Sequence, residues 1–412
     1  MSRHDEIRGE DLRTARKEAG LSQAHIAAVC GKSISHISRI EIGERVVTPA
    51  IINAYERALN TKIAATSQTA AGVTVESVRR RNAIAAIASA FVGAATLEPL
   101  AHLLNGLPAP TLRDRVGPTE VAAVEDATDF YTALDLQYGG GLASEIARGS
   151  LRWATGLLGK QMTDDTRERL FSAVASLADR VAWSHYDMGS HGPANRLFIM
   201  ALDTAAKGDD RNLRGHIMLN YSTQIFDLGH RDDAVEVLRL ALGDDRISMT
   251  EKANLHAVCA RHCGGIDTEQ SRQSALRQLG MSEDALVNAD TSDAAPWARR
   301  VTAQAGHFDS ALGLALFAIG RDEQARERFT RALDALGPGR VRTALRCRTR
   351  LAVIHMREGA KTQAETVARQ AMDDARRVRS ARVADDLQMV AASAREYGLT
   401  ALASELDAGL AS

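Results

Sequence analysis

Aromatic residues are scarce, 4% of 412, while hydrophobic residues of all kinds reach 45%. With Ala, Leu and Arg abundant and strand-favouring runs rare, this composition predicts an all-α protein without a sheet. The length suits two or three domains and leaves ample chain for a buried core. Only four cysteines occur, Cys30, Cys259, Cys263 and Cys347. Spread this thinly they make no disulfide scaffold, and with no signal-peptide pattern at the start the expected location is a reducing cytoplasm. Long apolar stretches are missing too. The run from Ala83 to Leu97 has fifteen residues, short of the roughly 20 that a bilayer requires, so no membrane partner is expected. Net charge is −1, which excludes indiscriminate binding of polyanions and leaves such contacts to local charge placement. The chain offers no phosphate-cradling loop, no recognisable carboxylate pair and no nucleophile with a base and an orienting partner. Neither an enzyme nor a cofactor is expected.

The strongest pattern lies in residues 21–45. Ser22 is placed to cap a helix from Gln23 to about Cys30, because its hydroxyl can accept from an orphan N–H of the first turn. Gly31 stops that helix, Ser33 can cap a second from Ile34 to about Glu41, and Gly43 can end it. Ile26, Cys30, Ile37 and Ile40 fall at spacings of three and four, so each helix gains an apolar stripe, and Ala27 permits close approach. The other face of the second helix carries Ser35, His36, Ser38 and Arg39, side chains suited to base edges and phosphates in a major groove.

This stretch, with its run Leu-Ser-Gln…Ala…Gly…Ser…Ile-Ser-Arg-Ile-Glu-x-Gly, resembles without a gap the helix-turn-helix of the Cro and phage-repressor (XRE) type. The resemblance implies a five-helix head over residues 1–62, with a first helix over Leu12 to Glu18 and a fourth capped by Thr48 with Pro49 at its first position. Ile51, Ile52, Tyr55 and Leu59 give that fourth helix its buried side. It assigns Gln23 to a phosphate clamp, and Ile34, Ser35 and Arg39 to base contact, with Arg39 the best placed to grip a guanine. Ser33 and Arg45 complete the expected DNA-binding set. Arg16 and Glu41 match the pair that the family uses as an internal salt bridge. Two residues depart from the pattern: His25 replaces the acid of a capping box, and Ile42 replaces a polar phosphate contact. Backbone anchoring is therefore expected to be weaker. The head carries ten Lys or Arg against eight Asp or Glu, a modest attraction that dimerisation would double.

Residues 63–164 are read as a linker and hydrophobic connecting helices. Three arginines, Arg79 to Arg81, precede the apolar run. That order suits an export signal, but such signals lie at the N-terminus, so a helix buried between head and body or between two protomers is expected. Gly139, Gly140 and Gly141 follow no strand and are read as a helix break.

From about residue 165 a periodicity emerges in four copies of Gly, Ala five residues on and Ala seven further. They are Gly189/Ala194/Ala201, Gly229/Ala234/Ala241, Gly320/Ala325/Ala332 and Gly359/Ala364/Ala371, each preceded seven residues earlier by Ala182, Ser222, Gly313 or Ala352. Glycine would close a turn, small residues would let helices approach, and Phe198, Leu238 and Phe329 would fill between them. Residues 250–280 depart from the pattern and read as a degenerate copy, and the stretch after Gly398 as a terminal cap. The pattern resembles lengthened tetratricopeptide repeats, which implies an α-solenoid over 165–412. That resemblance puts Asp179, Trp183, Tyr186, Asp187, His216, Thr223, Phe226, Asp227, His307, Arg346 and Arg357 on a concave face, where they could meet a peptide or small polar ligand. Asn220 and Asn254 lie nearby and could hold a peptide backbone, or could be satisfied core amides. Residues 337–379 hold eleven Lys or Arg against four Asp or Glu, a solvated basic face unless it receives an anion or lies along DNA.

His256, Cys259, His262 and Cys263 lie close on one helix, but four ligands from a single helix rarely reach tetrahedral geometry, so no metal is expected. The whole layout is similar to tetratricopeptide regulators that answer to signalling peptides in Gram-positive bacteria, and to their actinobacterial relatives. The expectation is a sequence-specific regulator acting on a double-stranded DNA operator. Its body would sense a small signalling molecule or peptide, as in quorum sensing, and would form a homodimer. The competing reading is a protein-interaction scaffold with a vestigial DNA-binding head.

Overall fold

Helix caps written into the sequence build the N-terminal unit of the computed structural model, which describes residues 9–19, 21–41, 45, 47–59, 115–208, 210–290, 295–299 and 301–411. The chain divides into two compact units, Met1–Arg80 and Arg81–Ser412. Among the described residues there are eighteen helices and no strand, as composition led one to expect.

In the first unit α1 runs Gly9–Glu18, α2 Gln23–Cys30, α3 Ile34–Glu41 and α4 Pro49–Leu59. The Oγ of Ser22 accepts from the His25 N–H at 3.2 Å, and that of Ser33 from the His36 N–H at 3.2 Å. Thr48 Oγ1 does the same for Ile51 at 3.4 Å. Each cap satisfies a donor that the first turn leaves over. Gly31 turns the chain at φ 60°, and its N–H reaches the carbonyls of Ala27 and Ala28. Leu12, Ile26, Ile37, Ile40, Ile52 and Tyr55 close together into a core from which solvent is excluded. The fifth helix of the head, Ile42, Gly43 and the Ala83–Leu97 run lie outside the described residues.

The second unit is a series of antiparallel helix pairs: α5 Pro118–Tyr138 with α6 Gly140–Leu157, α7 Asp164–Asp187 with α8 His191–Ala205, and α9 Arg211–Asp227 with α10 Arg231–Leu242. Then come α11 Met249–Gly264 with α12 Glu269–Val287, α13 His307–Ala318 with α14 Asp322–Ala335, α15 Val341–Arg357 with α16 Lys361–Ala375, and α17 Ala381–Glu396 with α18 Thr400–Ala411. First helices of successive pairs pack side by side from α7 onward, and each second helix wedges between its partner and the next first helix.

The glycine–alanine spacing has a direct physical cause. Gly189, Gly229, Gly320 and Gly359 all stand at the turn within a pair with φ between 73° and 86°, a left-handed conformation that a Cβ would strain. The eight alanines of the four copies are all fully buried, as are Phe198, Leu238 and Phe329 between them. At Gly313 a Cβ would come within 2.7 Å of the Phe329 ring. The α11–α12 pair occupies the place of the degenerate copy and turns instead through Gly265 at φ −81°, where glycine serves the close approach of the Phe226 ring, 2.5 Å from where a Cβ would lie, rather than a left-handed turn.

Helices α5 and α6, in the segment read from sequence as connecting, share one hydrophobic core with α7 to α12. They also meet the C-terminal pairs. The Arg379 N–H donates to the Tyr138 carbonyl at 2.8 Å. Gly139 adopts φ 83° and ψ 175°, a region essentially confined to glycine, and a Cβ there would lie 2.3 Å from the Arg379 carbonyl oxygen. The triple glycine is thus a helix break, and it is also the point where the two ends of the helical array touch.

Candidate functional site

The head holds its second and third helices with one buried carboxylate. Glu41, at the end of α3, accepts from Arg16 Nε at 2.6 Å and Arg16 Nη2 at 2.7 Å, from Gln23 Nε2 at 2.8 Å and from the Tyr55 hydroxyl at 2.7 Å. Burial alone would raise its pKa, but these hydrogen bonds and the guanidinium charge outweigh it and hold the group below its ordinary value. Arg16 Nη1 also donates to the Leu21 carbonyl at 2.9 Å, tying α1 to the entry of α2.

Ile37, Ile40 and Glu41 face inward. Ile34 is 53% exposed, Arg39 is exposed, and His36 and Ser38 are half-buried. Ser35 lies in the first turn of the same helix. Arg45 is exposed beyond the helix end, and its Nη1 donates to His36 Nδ1 at 3.0 Å. Slight desolvation together with Arg45 and Lys32 lowers the His36 imidazole from its ordinary value, which keeps it neutral and able to accept. Gln23 stands at the N-terminus of α2 with its amide nitrogen turned back to Glu41. A helix with a sealed inner face and a polar outer one, preceded by a capped helix and a glycine turn, is built to enter a groove.

Residues 12–65 match a family model described as helix-turn-helix. This is a DNA-binding regulatory domain. The match covers the head alone, and no curated protein matches the chain. The geometry of the helix-turn-helix thus agrees with its sequence pattern, including the Arg16–Glu41 pair.

In the body, the residues expected to face a ligand fall into two groups. The first is engaged across the array. Asp187 accepts from the Gly140 N–H at 3.0 Å and the Ser380 hydroxyl at 2.9 Å, and pairs with Arg342 at 3.1 Å. The Tyr186 hydroxyl donates to Asp227, which also lies 3.7 Å from Arg382. Trp183 is ringed by Arg180, Arg342 and Arg382, at 6.0, 5.8 and 5.0 Å from its ring centroid. Arg346 pairs with Asp386 at 3.2 Å, and burial together with the Arg382 charge pushes its pKa down to about 9. Phe226 stacks on His262 at 4.4 Å. Thr223 donates to the Leu219 carbonyl, and Arg357 reaches Asp322 at 2.9 Å.

The second group forms a buried polar chain. Asn220 Nδ2 donates to both oxygens of Asp179, at 3.1 and 2.9 Å. His216 Nδ1 meets Glu251 at 3.3 Å, Asn254 Nδ2 donates to the same carboxylate at 3.3 Å, and His307 Nε2 meets Asn254 Oδ1 at 3.0 Å. Burial, with Arg340 and His216 nearby, pushes His307 down to about 3, so it is neutral. Asp179 and His216 line a recess with Ser176 and Trp297.

The basic stretch 337–379 meets partners rather than forming a uniformly solvated face. Arg342 grips Asp135 and Asp187, Arg346 and Arg350 share Asp386, and Arg348 meets Asp374. Arg369 reaches Glu365 and Glu405. Asp135 and Asp187 come from elements distant in sequence, which a local charge count misses. Around the cysteines, His256 Nδ1 meets Gln278 and Cys263 Sγ meets Ser274, and no group of three ligating side chains converges among the described residues. Among those residues no helix is long and apolar enough to cross a membrane.

Proposed function

We infer that the chain is a cytoplasmic, sequence-specific transcriptional regulator that binds operator DNA as a homodimer and is controlled by a ligand of its helical body. The observation that carries the reading is the division of α3 into a sealed face of Ile37, Ile40 and Glu41 and an opposite one bearing the exposed Ile34 and Arg39 and the half-buried His36 and Ser38. Arg39 reads a base, Arg45 and Ser33 sit where phosphates would pass, and Gln23 steadies the reading helix through Glu41 while offering the α2 N-terminus to a phosphate. A two-fold pair of such heads needs its reading helices about 34 Å apart to meet successive major grooves. A body whose ligand favours one spacing over another can therefore set affinity. The stacked, small-residue-packed pairs are similar to tetratricopeptide repeats, which supports a sensing body.

Gel shift with fragments from the gene's own neighbourhood tests this. The expected result is a sequence-selective shift that weakens steeply as salt rises, through counterion release. A body that captures partners while the purified chain ignores every fragment at low salt would favour the scaffold instead.

A further inference from the structure

A cleft of about 730 Å³ opens between α5, α7 and the segments at Asp210 and Trp297. That is the size of a small-molecule site, about 300–1,000 Å³. Its walls carry Glu125, Asp126, Asp129, Glu168 and Asp210 against Arg169 and Arg299, five carboxylates to two guanidiniums. No three carboxylates among the described residues converge as a metal site would need, so the excess negative charge is spread along the walls.

Ser176 lies on the wall shared by this cleft and the recess behind it, and is only 7% exposed. Its neighbours spend their hydroxyls on backbone carbonyls: Thr128 on Val124, Thr132 on Thr128, Ser172 on Gly208. Among the described residues the Ser176 hydroxyl makes no hydrogen bond, and its oxygen is not one of those sealed from solvent, so it stays open to what enters the cleft. An N–H donor entering from the cleft would satisfy it. Trp297 closes the inner end, its Nε1–H donating to Asp210 at 3.0 Å and its ring packed on His216 at 4.9 Å. An indole beside carboxylates suits an ammonium group. The cations of the recess are already matched, Arg180 by Asp135 and His216 by Glu251, so the outer walls set the sign of the cleft.

We propose that this cleft binds a small aliphatic polyamine, its ammonium groups distributed along the acidic walls and one of them donating to Ser176. The inference deepens the sensing half of the function proposed above and rests on it. Spread carboxylates favour charges spaced along a flexible chain over a single compact cation.

Isothermal titration calorimetry of the full chain, with spermidine as the probe and hexanediol as the neutral control, tests it. Saturable one-to-one binding of spermidine alone is expected. It should weaken about tenfold or more in Glu125→Gln/Glu168→Gln, which removes two wall charges, and in Ser176→Val, with melting curves verifying that both variants fold. Spermidine heats no different from those of hexanediol, or equal affinity in wild type and both variants, would overturn the proposal while leaving DNA binding by the head untouched. A second arm measures duplex affinity with and without spermidine, the double variant correcting for the polyamine's own attraction to DNA. Binding in the cleft with no change in duplex affinity would uphold the polyamine site and sink the sensing reading.

Discussion

Replacing Glu41 by Ala should unfold the head and leave the body intact. Four donors from Arg16, Gln23 and Tyr55 converge on this one carboxylate, and truncation strands a buried guanidinium and a buried phenol. Breaking a buried pair in this way costs about 3–5 kcal/mol. A unit of this size holds only roughly 0.05–0.15 kcal/mol per residue, so the loss is comparable to the whole. Hydrogen exchange on the full-length variant should lose protection across α2 and α3 and keep it in α7 to α18. Duplex binding should vanish with it. The same group gives the head an acid limit. Its folded pKa lies below the ordinary carboxylate value, so its stabilising contribution is present above that value and is lost as pH falls through the folded one. A Glu41→Gln head should be weaker at neutral pH and less sensitive to acid. Full protection of α3 in Glu41→Ala would show that the four hydrogen bonds do not hold the head together.

Arg342→Met should destabilise the body nearly as much, by about 3–5 kcal/mol, because it leaves Asp135 and Asp187 buried without their main counter-charge. The guanidinium donates to both oxygens of Asp135, at 2.9 and 2.6 Å, and lies 3.1 Å from Asp187. Burial would lower its pKa, and the two carboxylates reverse this and raise it. Asp187 is correspondingly held below its ordinary value despite its burial. Arg342→Lys should recover little, since a single ammonium cannot present the planar fork that serves both acids. Urea unfolding followed by circular dichroism measures the loss. A midpoint unchanged in Arg342→Met would mean that the bridge from α15 to α5 and α7 contributes nothing to stability.

What could be read in advance and what could not follows from how far apart the interacting residues lie. Ser22, Gly31 and Ser33 act within one turn of chain, so their positions alone disclose the capped helices and the left-handed turn. Gly189, Ala194 and Ala201 recur because every helix pair solves the same packing problem, and the period records it. The Arg16–Glu41 bridge spans 25 residues and came through resemblance rather than spacing. Arg342 and Asp135 are 207 residues apart, and nothing in either neighbourhood names the other. The basic stretch 337–379 therefore read as a solvated face when several of its arginines are counter-ions for distant acids. The cleft was missed for a like reason: Glu125, Ser176, Asp210 and Trp297 come from four separate segments, each unremarkable alone. The inner residues Asp179 and His216 were named from the repeat register, and they form part of the recess behind it.

The central claim is that the outward face of α3 reads DNA sequence, and fluorescence anisotropy on a selected operator with every single-base variant tests it most directly. Wild type should discriminate at the position met by Arg39 by roughly 1–3 kcal/mol, about 5- to 150-fold. Arg39→Ala should flatten that one position and preserve the others. Identical profiles for wild type and Arg39→Ala, or equal affinity for all duplexes, would contradict the account.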